Sequence, residues 1–152
     1  MPDSDRMRSD AMSTDPLKKF SNQPLESRKR ADGVFTIEDV KEVLRAEVLC
    51  CEELLGEQVS SACGCDLMSD VLAFTKPGSL LLTGLTNPQV VRTAEILDLK
   101  AVVFVRDKRP DANTIAMAER SGIPLLCSSY PLYESCGLLY SMGLRGCMDD
   151  EQ

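Results

Sequence analysis

The run Cys63-Gly64-Cys65-Asp66 holds the most reactive residue types in this 152-residue chain. A thiol just ahead of a helix N-terminus can ionise early and act as a nucleophile. A glycine between two such thiols lets a ligand approach the backbone closely. The competing reading makes both cysteines small buried hydrophobes and Asp66 a helix cap. Two ligands spaced C-x-C do not define a metal site. Cys50, Cys51, Cys127 or Cys136 would have to complete one, and no spacing requires it, so neither a zinc nor an iron–sulfur cofactor is expected. Asp66 and Asp70 are four apart and would share a helix face. They could hold a magnesium ion or a ribose hydroxyl, or simply complement a helix dipole.

Three further segments carry polar groups ahead of expected helices. Thr83-Gly84-Leu85-Thr86-Asn87 offers hydroxyls and an amide around a glycine, as a ligand loop or as a strand end with a cap. Arg106, Asp107, Lys108 and Arg109 could attract an anion or form a solvated turn. Ser128-Ser129 could hold a phosphate at a helix start or cap it. The candidate ligand-binding set is therefore Cys63, Gly64, Cys65, Asp66, Ser69, Thr83, Gly84, Asn87 and Ser128.

Composition excludes several classes. The chain has no His, which removes Ser-His-Asp catalysis and imidazole proton shuttles. It has no G-x-x-x-x-G-K-[ST] loop, no G-x-G-x-x-G after a strand and no G-x-S-x-G, so kinase, ATPase and esterase readings have no anchor. With no complete catalytic constellation, a non-enzyme is expected. The net charge of −7 gives no sign of the basic face that nucleic acid requires. No apolar run approaches the roughly 18 residues of a membrane span. Asp3, Asp5 and Asp10 stand where a secretory signal would need an apolar stretch. Seven cysteines without such a signal point to reduced thiols in the cytoplasm.

The elements that must position these groups begin after residue 33. Only eight of the first 33 residues are apolar, without helical or strand period, so residues 1–33 read as a disordered tail. Its Arg28-Lys29-Arg30 run is a solvated stretch or an electrostatic tether. The tail carries 7 basic and 6 acidic residues of the chain's 17 and 24, leaving residues 34–152 with 10 basic and 18 acidic, distinctly acidic. Residues 34–147 form one unit and residues 148–152 a polar end.

Within that unit, Thr36 and Asp39 form a capping pattern ahead of Ile37, Val40, Val43 and Leu44. Strands are expected at Glu47–Cys50 and Glu57–Ser61. Asp66 then caps a helix whose apolar face is Leu67, Met68, Val71, Leu72 and Phe74, ended by Lys76-Pro77-Gly78. Ser79–Thr83, Ala101–Val105 and Ile123–Cys127 are continuous apolar runs, the mark of strands buried on both faces. Asn87-Pro88 and Asp111 open the helices between them, and Gly122 closes the second. Ser128 or Ser129 caps a last helix through Leu132, Cys136, Leu139 and Tyr140, ended by Gly143. Helices of 10 to 12 residues alternating with apolar strands demand crossovers. The expected fold is three-layer α/β/α with a largely parallel sheet of about five strands. Ligands of such sheets sit at the carboxyl ends of the strands, which places the four polar segments on one rim.

The run Val59–Ala73 (VSSACGCDLMSDVLA), with Leu81–Val91 (LLTGLTNPQVV), Arg109-Pro110-Asp111 and Gly122–Leu126 (GIPLL), resembles the DRTGG domain family and the N-terminal domain of HPr kinase/phosphatase. Asp66-Leu67-Met68-Ser69-Asp70-Val71 is the most specific piece, and the resemblance covers residues 35–146. It implies a three-layer α/β/α module that regulates or helps dimerise its host, as in fusions to CBS-domain pyrophosphatases and phosphotransacetylases. Some single-domain relatives accompany hydrogenase or other redox systems. The chain departs from the family motif at Gly56–Ala62, where neither motif glycine is kept. A backbone nest for an anion is then missing, or Gly64 replaces it in a shifted loop.

Three functions follow as expectations. The first is a non-catalytic regulatory or sensory module, a homodimer that binds a small anionic metabolite such as an adenine nucleotide at the strand ends. The second is a dimeric assembly protein that presents a surface to a redox enzyme. The third is a thiol-based redox or metal protein using Cys63 and Cys65.

Overall fold

A computed structural model describes residues 34–148. The expected tail, residues 1–33, and residues 149–152 of the polar end lie outside the described residues. Phe35–Thr36 (β1) leads into the helix Ile37–Leu44 (α1). The capping box forms as expected, with Thr36 Oγ1 accepting from Asp39 N–H at 3.2 Å and Asp39 accepting from Thr36 N–H at 2.9 Å. Glu47–Cys50 (β2), Gln58–Val59 (β3) and Ser61–Gly64 (β4) follow. Then come helix Met68–Phe74 (α2), Ser79–Thr83 (β5), Pro88–Leu97 (α3), Ala101–Phe104 (β6), Ala112–Ser121 (α4), Leu125–Cys127 (β7) and Leu132–Ser141 (α5). The helices run 7 to 10 residues rather than 10 to 12.

The main sheet has the order β2-β7-β6-β5-β4. β4 through β7 pair in parallel, and β2 closes the far edge antiparallel to β7 with an irregularity between Val48 and Cys50. The chain crosses from β2 to the opposite edge and then returns one strand at a time. Right-handed crossovers stepping in one direction place their helices on one side. Accordingly α2, α3 and α4 cover one face, while α1 and α5 cover the other. The strands alternate to feed both layers. Leu80, Leu82, Val103 and Leu126 meet α1 and α5; Leu81, Val102, Phe104 and Leu125 meet α2 to α4. All eight are buried, each leucine contributing about 1.5–3 kcal/mol of transfer free energy. The expected three-layer α/β/α fold with a largely parallel five-strand sheet is what the chain adopts.

Three local expectations are corrected. The single strand expected at Glu57–Ser61 is two strands. β3 pairs antiparallel with β1 in a separate ribbon, Phe35 opposite Val59, and β4 alone joins the main sheet. Exposed Ser60 separates them, its N–H donating to Gly78 O at 3.1 Å. The apolar face expected on α2 is narrower than its sequence implies. Met68 and Val71 are buried, but Leu67, Leu72 and Phe74 are exposed, because a seven-residue helix at the sheet margin presents one turn to the core. The last helix is not capped by Ser128 or Ser129. Pro131, with φ of −64°, occupies the N-cap of α5.

Candidate functional site at the strand ends

Parallel pairing carries Gly64, Thr83, Phe104 and Cys127 to one end of the sheet, so the four polar segments follow strands that end on a common rim. Asp66 is the hub of its first half. It does not cap α2; Leu67 holds that position without a side-chain hydrogen bond. Instead Asp66 Oδ1 accepts the Thr83 hydroxyl at 2.9 Å and the Gly84 N–H at 2.7 Å, which ties the loop after β4 to the loop after β5. Thr83 Oγ1 in turn accepts the Leu85 N–H at 3.1 Å. The carboxylate satisfies backbone and hydroxyl donors that a sheet end leaves open. A Cβ built on Gly84 would stand 3.7 Å from both Asp66 Oδ2 and Lys108 Cδ, so a carboxylate oxygen and a lysine stem flank this glycine.

The second half of the rim is where connections diverge. The chain leaving β6 turns to α4 on one face, and the chain leaving β7 turns to α5 on the other, the arrangement that opens a crevice in open α/β sheets. Arg106 and Asp107 sit there in consecutive left-handed conformations, φ 58° and 57°. Their N–H groups donate to Tyr130 O at 3.0 Å and Ser128 O at 2.9 Å, which locks the turn.

The remaining candidates have local work to do. Asn87 caps α3 as expected, accepting the Gln89 N–H at 3.1 Å. Ser69 is exposed on the first turn of α2. Ser128 is buried; its hydroxyl donates to Leu44 O at 2.8 Å and accepts the Tyr130 N–H at 3.2 Å. Cys63 and Gly64 lie within β4, not in a loop. A Cβ on Gly64 would come 2.5 Å from Cys136 Sγ and 3.3 Å from Leu132 Cδ1, so its smallness admits α5. Cys65 donates its thiol to Leu67 O at 3.5 Å. Burial raises the Cys63 thiol, with the Thr75 hydroxyl pulling the other way, so the early ionisation considered for it is not found. Among the described residues no group of three or more His, Cys, Asp or Glu side chains could hold a metal ion. The place of Lys108 beside Gly84 had no signal in spacing, since the helix α3 and the strand β6 separate them.

A scan against protein-family models and a search of curated proteins find no match. Among solved structures, the chain is similar to the CBS and DRTGG domains of the regulatory region of Clostridium perfringens pyrophosphatase, complexed with the activator diadenosine tetraphosphate. The TM-score is 0.58 at 13% identity, over 97% of this chain and 61% of that one, so the chain spans less than two thirds of its neighbour. At that identity the likeness is one of fold, and it is a DRTGG-like fold, as the sequence resemblance implied. No helix among the described residues is long and apolar enough to cross a membrane.

Proposed function

We propose that the chain is a non-catalytic regulatory module of the cytoplasm that binds a small anionic ligand, an adenine nucleotide first among them, at the rim. The observation that carries this reading is the setting of Gly84, between the Asp66 carboxylate and the Lys108 stem. An acid that can take ribose hydroxyls and a cation that can take phosphate then stand on the loops either side of the one that carries Gly84. Asp66 Oδ1 is occupied by Thr83 and Gly84, while Oδ2 accepts no hydrogen bond among the described residues and can serve a ligand. Arg106 adds positive charge at the diverging crevice. The fold neighbour was solved with a dinucleoside polyphosphate, which agrees in ligand class.

Calorimetry with AMP, ADP, ATP, diadenosine tetraphosphate and inorganic phosphate tests this. Binding of at least one nucleotide, weakened tenfold or more by Lys108→Ala, is the expected result. Silence across the panel, or binding indifferent to Lys108→Ala, removes the rim as the site.

A second reading, a homodimeric assembly protein that docks on a redox enzyme, is favoured by Leu67, Leu72 and Phe74, which α2 leaves exposed on one side of the sheet. Solution mass and a partner pull-down with Phe74→Glu distinguish it. A monomer whose partners are unaffected by that change speaks against it.

A further inference from the structure

A groove of about 600 Å³ runs along the outer edge of the sheet, away from the rim, lined among others by Cys63, Phe74, Thr75, Lys76, Cys147 and Met148. Its far wall is the C-terminal segment, which folds back on β4. Gly146 bridges Ala62 in parallel, and the Ala62 N–H donates to Arg145 O at 2.9 Å. One position on, the chain bends at Cys147, which lines the groove together with Cys63. The Cys147 thiol lies 3.4 Å from Ser61 Oγ and 3.3 Å from Ser79 Oγ, and Ser61 shares its face of β4 with Cys63. Ser61 and Ser79 also bond to each other at 2.6 Å, which fixes both hydroxyls beneath the sulfur.

The two thiols differ in the way an exchange pair requires. Burial would raise Cys147, but the Lys76 N–H, the Ser61 and Ser79 hydroxyls and the Lys76 ammonium outweigh it and the thiol is lowered. Cys63 is raised by burial. An independent feature points to a guest in the groove. Thr75 is buried and lines it, and its Oγ1 has no hydrogen-bond partner among the described residues. That hydroxyl stands close enough to Cys63 to favour its thiolate, though without hydrogen-bond geometry.

We propose that Cys147 and Cys63 form a thiol–disulfide exchange pair that reduces low-molecular-weight disulfides admitted by this groove. The Cys147 thiolate attacks one sulfur of the disulfide RSSR. A mixed disulfide forms on Cys147, and one RS⁻ leaves and is protonated by water. Cys63 then loses its proton to water and attacks the Cys147 sulfur. The Cys63–Cys147 disulfide forms and the second thiol leaves. Two protein thiols are oxidised and one disulfide is reduced to two thiols. Cys65, whose thiol is turned to Leu67 O, takes no part.

The test treats the reduced full chain with bis(2-hydroxyethyl) disulfide near neutral pH, blocks free thiols and maps peptides by mass spectrometry. The wild type is expected to become two hydrogens lighter and to yield a Cys63–Cys147 peptide. Cys63→Ser is expected to stop at the hydroxyethyl adduct on Cys147, and Cys147→Ser to give neither product. Circular dichroism establishes that both variants are folded. A wild-type chain that stays reduced, keeps the adduct without closing, or closes another pair such as Cys63 with Cys65 overturns the proposal.

Discussion

Asp66 and Thr83 are joined across the rim by a 2.9 Å hydrogen bond from the threonine hydroxyl to the carboxylate, and the same oxygen takes the Gly84 N–H at 2.7 Å. Thr83 is fully buried, so losing the carboxylate strands a hydroxyl that water cannot easily reach. Asp66→Ala is therefore expected to cost about 1–3 kcal/mol. Asp66→Asn keeps an acceptor oxygen and should cost distinctly less. Denaturant midpoints with an unchanged slope measure both. Equal losses for the two variants would show that the charge, and not the acceptor, matters.

Gly64 and Cys136 make a second pair that can be tested directly. A methyl at residue 64 would stand 2.5 Å from Cys136 Sγ, inside any tolerated contact. Gly64→Ala is expected to cost about 1–3 kcal/mol through overpacking of α5 against β4. The same change in a Cys136→Ala background should cost much less, because the clashing sulfur is gone. A double-mutant cycle reads the difference. Additive effects would place the strain elsewhere.

These pairs show what was legible in the sequence. The apolar runs at Leu80–Leu82 and Ala101–Val105 announce buried strands because both their faces are covered. Ser61–Gly64 does not, because an edge strand against α5 needs small residues at Ala62 and Gly64 and carries polar Ser61 toward Ser79. Strand direction is likewise silent. Nothing in Glu47–Cys50 distinguishes an antiparallel edge from a parallel one. The capping rule succeeded at Thr36, Asn87 and Asp111, where the residue's own helix is its partner. It failed at Asp66 and Ser128, where acceptors and donors 17 and 84 residues away compete for the side chain. Cys147 was invisible for the same reason, its partners being 68 and 86 residues distant.

Arg106 holds a left-handed backbone with a Cβ, a conformation that costs a non-glycine residue about 1–2 kcal/mol. Arg106→Gly relieves that strain, offset in part by the added freedom of the unfolded chain. The variant is expected to melt slightly higher than the wild type while binding nucleotide more weakly. Thermal unfolding and calorimetry on the same sample check both halves. A lower melting temperature would mean that the arginine side chain stabilises the turn by more than its backbone strains it.

Asp111 sets an acid limit. Its carboxylate takes the Thr114 N–H at 2.8 Å, which holds it below its ordinary value of 3.8. The Thr114 hydroxyl adds a pull, although among the described residues it has no partner of hydrogen-bond geometry. A carboxyl with a depressed folded value contributes stability that is full above the unfolded value and lost as pH falls through the folded one. Asp111→Asn preserves the cap but not the titration. Its stability curve should be flatter than the wild type's below pH 3.8 and parallel to it near neutrality. Parallel curves throughout would exclude Asp111 as a contributor to acid unfolding.

The buried thiols set an alkaline limit of opposite sign. Burial and the neighbouring Cys50 push Cys51 up to about 12, and burial also raises Cys50, Cys63, Cys127 and Cys136. In the unfolded chain these thiols ionise around their ordinary value of 9.0. Above that pH the unfolded state sheds protons that the folded state keeps, so stability falls as pH rises from 9.0 toward the folded values. Cys147, lowered in the fold, acts in a different window: it adds stability as pH rises toward 9.0 and contributes no slope above it. Cys51→Ala is expected to make the decline above pH 9.0 shallower, and Cys147→Ala to remove a gain in stability just below pH 9.0 without changing the slope above it. Urea midpoints across an alkaline pH series measure both slopes. A decline unchanged by Cys51→Ala would mean that other groups govern the alkaline limit.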